Sequence, residues 1–498
     1  MSKVVKKRAL TPDYSSQNQL SFDGFETPFD KKLNSKNRWV ILAHLIPWDE
    51  ICNIYLKSVP KKKTGRPGLN PRIVLGAIII KHLCDIDDRE AVSQISENIY
   101  MQYFLGYSSF NDDEPFDSSL FVEFRKNLGL DVINEINEKI VKLKTELERK
   151  ENQNFSENDA ESNENQNRGS VIMDATACPQ DIAYPTDLGL LNDARVKSEM
   201  LIDLLFDKDL HAIKPRNYRE KARKDYLLTA QKKSKTGKII RKGVGQQLRY
   251  LRRNIKIIHF LLDSYQAIPL KKKELKYLYV IQTLFEQQNY MFETKTKSVS
   301  DRIVSIHQPH IRPIVRGKSQ AKVEFGSKIH CSMIDGITFL DELNWNAFNE
   351  GSHLKEYVEK YKSRFGCYPR ELLVDKIYCT RENRSMLKDL GIIIKAKPLG
   401  RPSKATQIVV SPGERNPIEG KFGQAKTGYG LDRVKARLQN TSESWVASIF
   451  LVLNLVKLAG VKLSCLIIYK LTCIFTEIKI KHLNFNFKQK NIQNLKYY

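Results

Sequence analysis

The sequence predicts an α/β core that carries a basic helical insertion and follows an all-α N-terminal domain. Three observations predict it. Up to about residue 150 the apolar residues recur at helical spacing. After residue 170 short apolar runs alternate with helical segments, the pattern of a mixed α/β core. Between the two, residues 151–168 hold five acidic residues, one basic residue and Phe155 as their only large apolar side chain. Such a segment cannot bury surface and reads as a disordered linker. The expected division is a helical domain over 1–150, a linker over 151–169, and an α/β domain over 170–460 with its helical insertion at about 195–300. A Lys-, Asn- and aromatic-rich tail over 461–498 has no assigned role.

Taken in order, residues 39–56 are apolar and expected to be helical, and Lys61 to Gly68 form a basic turn. Pro71 stands where a first helical position tolerates it, and Ile73, Val74, Leu75, Ile78, Ile79 and Leu83 continue the helix. Residues 88–104 read as another helix, and Ser118 or Ser119 as the cap of a third through Phe121, Phe124 and Leu128. Short helices with basic residues between them suit helix-turn-helix contact with DNA, or a plain helical bundle. After the linker, 170–176 is a buried strand expected to end at Asp174, and 195–297 is helical. Strand-like runs follow at 303–306, 323–334 and 336–343, then a helix over 353–365 and a strand over 371–375 ending in Asp375. A helix over 381–390 is closed by Gly391, 392–396 is a strand, and Pro417 opens a helix. The apolar stretch from Trp445 to Phe475 is interrupted by Lys457, Lys462 and Lys470. It is expected to be a buried helix, with no membrane association.

Charge narrows the partner. The 498 residues carry 82 Lys+Arg against 57 Asp+Glu, a net +25, which asks for a polyanion such as nucleic acid or an anionic membrane surface. An ordinary small-molecule enzyme has no need of this excess. Residues 195–297 alone hold 25 Lys+Arg against 10 Asp+Glu, so the surplus is concentrated there, with Arg249, Arg252 and Arg253 as candidate DNA contacts. Eight cysteines scattered without a C-x-x-C pair argue against a disulfide framework or a zinc finger and for a reducing cytoplasm. Met1 to Arg8 is basic but no apolar stretch follows it, so no signal peptide is expected.

Asp174 and Asp375 stand where carboxyl ends of strands converge in α/β sheets, though either alone could be a turn or cap residue. The run Glu414 to Lys426 is more specific. Helical from Pro417, it puts Glu419 and Lys426 two turns apart on one face with Phe422 between them. Gly420 and Gly423 are poor helix formers there, and would let something bulky approach the backbone.

Arg415-x3-Glu419-x6-Lys426 resembles the R-x3-E-x6-K core of the signature of DDE transposases from bacterial insertion sequences, most closely the insertion-sequence-five type. Residues 171–195, 311–330, 368–392 and 414–438 resemble the family's ordered blocks, and 60–130 its helical N-terminal region. The resemblance implies a ribonuclease-H-like core with Asp174, Asp375 and Glu419 as catalytic, metal-holding carboxylates. It implies two Mg²⁺ ions, with Mn²⁺ an allowed substitute, and Arg415, Lys421 and Lys426 on DNA. Glu324 and Lys328 are expected to support the site from behind. Double-stranded DNA, both transposon ends and target, is the implied partner, bound by a homodimer in the bacterial cytoplasm with the nucleoid. The full signature begins with Tyr three residues before the Arg, and here that position is Pro412, leaving Tyr378 or Tyr429 to stand in. Two alternatives stay open: a copy that only holds DNA, and a ribonuclease-H-like nuclease with no joining step.

Overall fold

The computed structural model describes residues 32–60, 68–153, 167–315, 323–396 and 413–460. The expected tail and Pro412 lie outside them, as does the basic turn but for Gly68; of the expected linker, 154–166 lie outside, whereas 151–153 close a helix.

Helices α1 (Arg38–Leu45), α2 (Trp48–Ser58) and α3 (Pro71–Cys84) open the fold. The single helix expected over 39–56 is two. Pro47 forces Ile46 into extended backbone, φ −72° and ψ 131°, and the first helix ends there. Pro71 does begin α3, behind an Asn70 side chain that accepts the Arg72 N–H. Residues 88–104 also divide, into α4 (Asp88–Glu97) and α5 (Ile99–Leu105). Extended Asn98 separates them and turns its side chain to the amides of Tyr100 and Met101, capping the second. Ser119 stands at the N-cap of α6 (Leu120–Asn127) as expected, but its side chain makes no capping bond; Asp117 accepts the Ser119 N–H. A long helix not expected from the sequence, α7 (Leu130–Gln153), follows.

One six-stranded sheet is built from β1 (Ser170–Pro179), β2 (Arg312–Val315), β3 (Val323–Ile334), β4 (Ile337–Asn344), β5 (Glu371–Leu373) and β6 (Ile393–Lys395). The order is β2-β3-β1-β5-β6, with β4 also paired to β3. Pairings among β1, β2, β3 and β4 are antiparallel, whereas β1–β5 and β5–β6 are parallel. Helix α12 (Leu354–Phe365) carries the chain from β4 to β5, and α13 (Arg381–Asp389) makes the crossover between parallel β5 and β6. Two expectations need correction. The first strand does not end at Asp174; it runs on to Pro179 because Ala175–Cys178 pair with Ser327–His330. Residues 303–306 are not a strand: Ile303, Val304 and Ile306 are buried, but in irregular chain returning to the sheet. Their burial mimics a strand's apolar run. Gly326 is required where β3 crosses the end of β1, since a Cβ there would lie 2.0 Å from the Cys178 carbonyl oxygen.

Between β1 and β2 stand α8 (Asp187–Leu205), α9 (Arg219–Ala230), α10 (Gly237–Leu262) and α11 (Lys272–Thr294), which confirms the helical character of 195–297. These helices bury a core of their own, with Leu191, Ile202, Leu251, Ile258, Ile281 and Leu284 at its centre. The chain ends its described course in α14 (Asn416–Tyr429) and α15 (Gln439–Gly460). By length and composition α15 could cross a membrane, yet its apolar window is mostly buried inside the protein.

One face of the sheet meets α12 and α13 through Val171, Met173, Leu372 and Val374. The other belongs to a larger core, in which Cys331 and Met333 of β3 join Ile418 and Phe422 of α14, the buried side of α15 and the helices α1–α7. Buried Asn454 of α15 seals this contact. It accepts the Thr338 N–H at 2.9 Å and donates both to the Thr338 carbonyl and to Asn137 of α7, each at 2.7 Å. Nearby, Asp88 takes a bidentate bond from Arg125 (3.0 and 2.7 Å) and an ion pair from Lys81 (3.1 Å). Both cations lie over the Trp445 ring of α15.

Candidate active site

Register brings the two aspartates together. On the parallel pair β1–β5, Ile172 lies opposite Leu373, so Asp174 and Asp375, each two residues further on, share a level and a face. That face is the one α14 covers. Asp375 stands just past its strand, where its side chain accepts the Lys376 N–H at 2.7 Å and starts a short 3₁₀ turn, Lys376–Tyr378. Asp174 Oδ1 accepts the N–H of Ala175 at 2.8 Å.

Helix α14 supplies the third component. Ile418, Phe422 and Ala425 form its buried stripe, which seats the helix on the core. Arg415, at its N-cap, reaches back to both aspartates: Nη2 lies 3.3 Å from Asp174 Oδ2, and Nη1 lies 3.2 Å from Asp375 Oδ1. Glu419 is one turn along and exposed. Burial pushes the Asp174 carboxyl above its usual range; the Ala175 N–H and Arg415 oppose this, and the charges of Asp375 and Glu419 add to it. The Asp174 carboxyl therefore feels the charge of both other carboxylates. Gly420 and Gly423 face open space, with nothing among the described residues within 4 Å of an added Cβ.

The floor of the site is braced from the 3₁₀ turn Glu350–His353. Gly351 packs so tightly that a Cβ would come 2.5 Å from the Ile377 carbonyl oxygen, and Asn383 of α13 donates to both the Gly351 and Tyr378 carbonyls (2.7 and 2.9 Å). Lys328 of β3 pairs with Glu350 at 2.5 Å and donates to the Phe348 carbonyl at 2.7 Å. Sequence reasoning named Lys328 but not Glu350, Gly351 or Asn383, which lie in loop or helix with no motif to single them out. Glu324 sits further along β3, opposite Ile314. Tyr378 is fully buried and its hydroxyl has no hydrogen-bond partner. Burial, with the charges of Glu350 and Asp174, raises that hydroxyl's pKa well above the usual tyrosine value. Tyr429 lies at the far end of α14, half-buried.

The basic candidates separate. Lys426 is on the Glu419 side of α14, whereas Lys421 projects from the opposite side, half-buried, where burial and the charge of Lys457 lower its pKa. Arg249, Arg252 and Arg253 are exposed on α10, in the insertion. There Arg252 donates to Asn289 of α11 at 2.8 Å, and Arg253 stacks 4.5 Å from the Tyr218 ring centre.

The donor set is all oxygen, which suits a hard divalent cation. Among the described residues, no three His, Cys, Asp or Glu side chains are drawn together closely enough to hold a metal ion as they stand. A guanidinium lies instead between two of the carboxylates. Two aspartates on one level with a glutamate one helical turn from their shared cation, Arg415, are oxygen donors of the type a hard divalent cation takes.

Residues 27–127 match the family described as Transposase domain (DUF772), and residues 372–456 match the Transposase DDE domain. The chain is also similar to a Rhizobium meliloti protein named "Uncharacterized protein ORF8 in nfe locus". The two are 32% identical over 170 residues, which cover 33% of this chain and 72% of that one. No solved structure matches.

Proposed function

Because the chain belongs to the transposases that carry a DDE domain, we propose that it binds the inverted ends of its own element, cleaves DNA strands there and joins the free 3′-hydroxyls to target DNA. The carrying observation is the meeting of Asp174 and Asp375 on neighbouring parallel strands, with Arg415 between them and Glu419 one turn beyond. The sheet supports a ribonuclease-H-like reading. Three antiparallel strands, β4, β3 and β1, are followed by two parallel ones, β5 and β6, with crossover helices. The four ordered blocks support the insertion-sequence-five type, acting in the bacterial cytoplasm with the nucleoid. We assign residues 1–150, 170–460 and the insertion within them as the sequence divides them.

Asp174, Asp375 and Glu419 would hold the divalent cations, two Mg²⁺ or Mn²⁺, which when bound stabilise the charge of attacking and departing oxygens. Arg415 and Lys426 bind phosphate oxygens beside the scissile bond, the guanidinium by two parallel N–H bonds. The rigid seat of α14 fixes the spacing of Arg415, Glu419 and Lys426 along the DNA strand. The exposed glycine face of the same helix lets a sugar-phosphate chain lie against the backbone. Tyr378, in the protein interior, stiffens the Asp375 turn.

Incubating the protein with DNA bearing the sequences that flank its gene, with Mg²⁺, should give end nicking and a joined product. Nicking without joining would favour a nuclease; end-specific binding without either would favour a copy that only holds DNA.

The insertion is assigned to the flanking DNA, with action as a dimer across paired ends. Changing Arg249, Arg252 and Arg253 together to Gln should weaken binding to all sequences. It should also flatten the slope of log affinity against log salt by about 0.9 for each phosphate left without a cation. An unchanged slope in a filter-binding titration would remove α10 from the DNA path.

A further inference from the structure

Both oxygens of Asp174 are engaged in this structure. Oδ1 takes the Ala175 N–H, and Oδ2 faces Arg415 at 3.3 Å. On Asp375, the oxygen that starts the following 3₁₀ turn also faces Arg415, at 3.2 Å. Arg415 is four-fifths buried, and its Nε is buried without an acceptor, so the ends of the guanidinium make its ion pairs. A cation shared by the two aspartates needs the Oδ2 that Arg415 holds. A divalent ion arriving there would also stand within a few ångströms of a fixed positive charge, a repulsion strong in a partly buried site. The two cations therefore compete for one place.

We propose that Arg415 is a displaceable counter-ion of the carboxylate pair. It neutralises Asp174 and Asp375 while no metal is bound, and the incoming metal drives it off, leaving it free at the start of α14 for a DNA phosphate. Metal loading and readiness for DNA are thereby coupled through one side chain. The N-cap position suits this, because the helix end adds positive potential where a phosphate would be received. This inference rests on the reading of the three carboxylates as the metal-holding set.

The test measures Mn²⁺ binding without DNA, by the loss of the free-ion electron paramagnetic resonance signal, alongside thermal melting with and without Mn²⁺. The proteins are the full chain, Arg415→Gln, Arg415→Lys and Asp375→Asn. Arg415→Gln should bind Mn²⁺ about tenfold more tightly, the release of two half-buried ion pairs being of that order. It should melt lower than wild type without metal and gain more on adding it. Arg415→Lys, able to hold one carboxylate at a time, should fall between. If Asp375→Asn loses Mn²⁺ while Arg415→Gln binds it no better than wild type, the counter-ion role is overturned and the metal site stands. If wild type and Arg415→Gln bind no Mn²⁺, or Asp375→Asn binds it as wild type does, the metal site itself falls.

Discussion

Asp174→Asn should reduce strand cleavage about a thousandfold or more while leaving the protein folded and bound to DNA. The size follows from what a metal-holding carboxylate contributes, several kcal/mol of charge stabilisation at 1.36 kcal/mol for each factor of ten. Asparagine keeps the shape, and its carbonyl oxygen still accepts the Ala175 N–H that orients the side chain. What it removes is the charge on Oδ2, the atom facing Arg415. The position is central in β1, held in register by Cys331 across the antiparallel pair, so local rearrangement cannot supply another carboxylate at that level. The measurement is single-turnover nicking at saturating protein, with melting as the control for folding. A loss of less than about tenfold would take Asp174 out of the chemistry.

Asp88→Ala should cost about 3–5 kcal/mol of stability, the range for removing one partner of a buried charge set. The side chains left behind, Lys81 and Arg125, are only 2% and 5% exposed, and both would become uncompensated cations against Trp445. Both shifts in this set are downward, which disfavours the charged form of Lys81 and favours that of Asp88. Burial pulls the Lys81 ammonium down in spite of Asp88. Burial also pushes Asp88 up, yet the bonds from Arg125 and the charge of Lys81 outweigh it and hold the carboxyl below its usual range. The bidentate bond from Arg125, at 3.0 and 2.7 Å, stabilises the Asp88 carboxylate, while Lys81 is tolerated beside it. The pH dependence has a definite sign. A carboxyl with a depressed folded pKa contributes stability above about pH 4, and that contribution disappears as the pH falls through the folded value. Wild type should lose stability on acidification more steeply than Asp88→Ala, as urea melts between pH 7 and pH 3 would record.

Most of the strands and helices were legible because each leaves a local mark: Pro71 and Pro417 at helix starts, Gly391 after a helix, alternating apolar runs at 323–343. The breaks at Pro47 and Asn98 were also written in the chain, as a proline and a cap residue inside apolar runs long enough to pass for single helices. Asp174 and Asp375 could be picked out, but their shared level could not, since it depends on register between strands some 200 positions apart. The burial of Glu350, Gly351 and Asn383 beneath Asp375 is likewise a property of packing. Nothing in the sequence around Arg415 foretells that it turns inward to two aspartates; its place in a motif points it toward DNA instead. Long-range electrostatics leaves no local trace.

The sharing of one core by α1–α7 and α15 bears on how such a gene decays. A frameshift shortly before codon 439 would strip the first helices of part of the surface they fold against, leaving Lys81, His82 and Arg125 without the Trp445 ring and Asn137 without Asn454. The product would be a fragment with part of its core open to water, prone to aggregation and proteolysis.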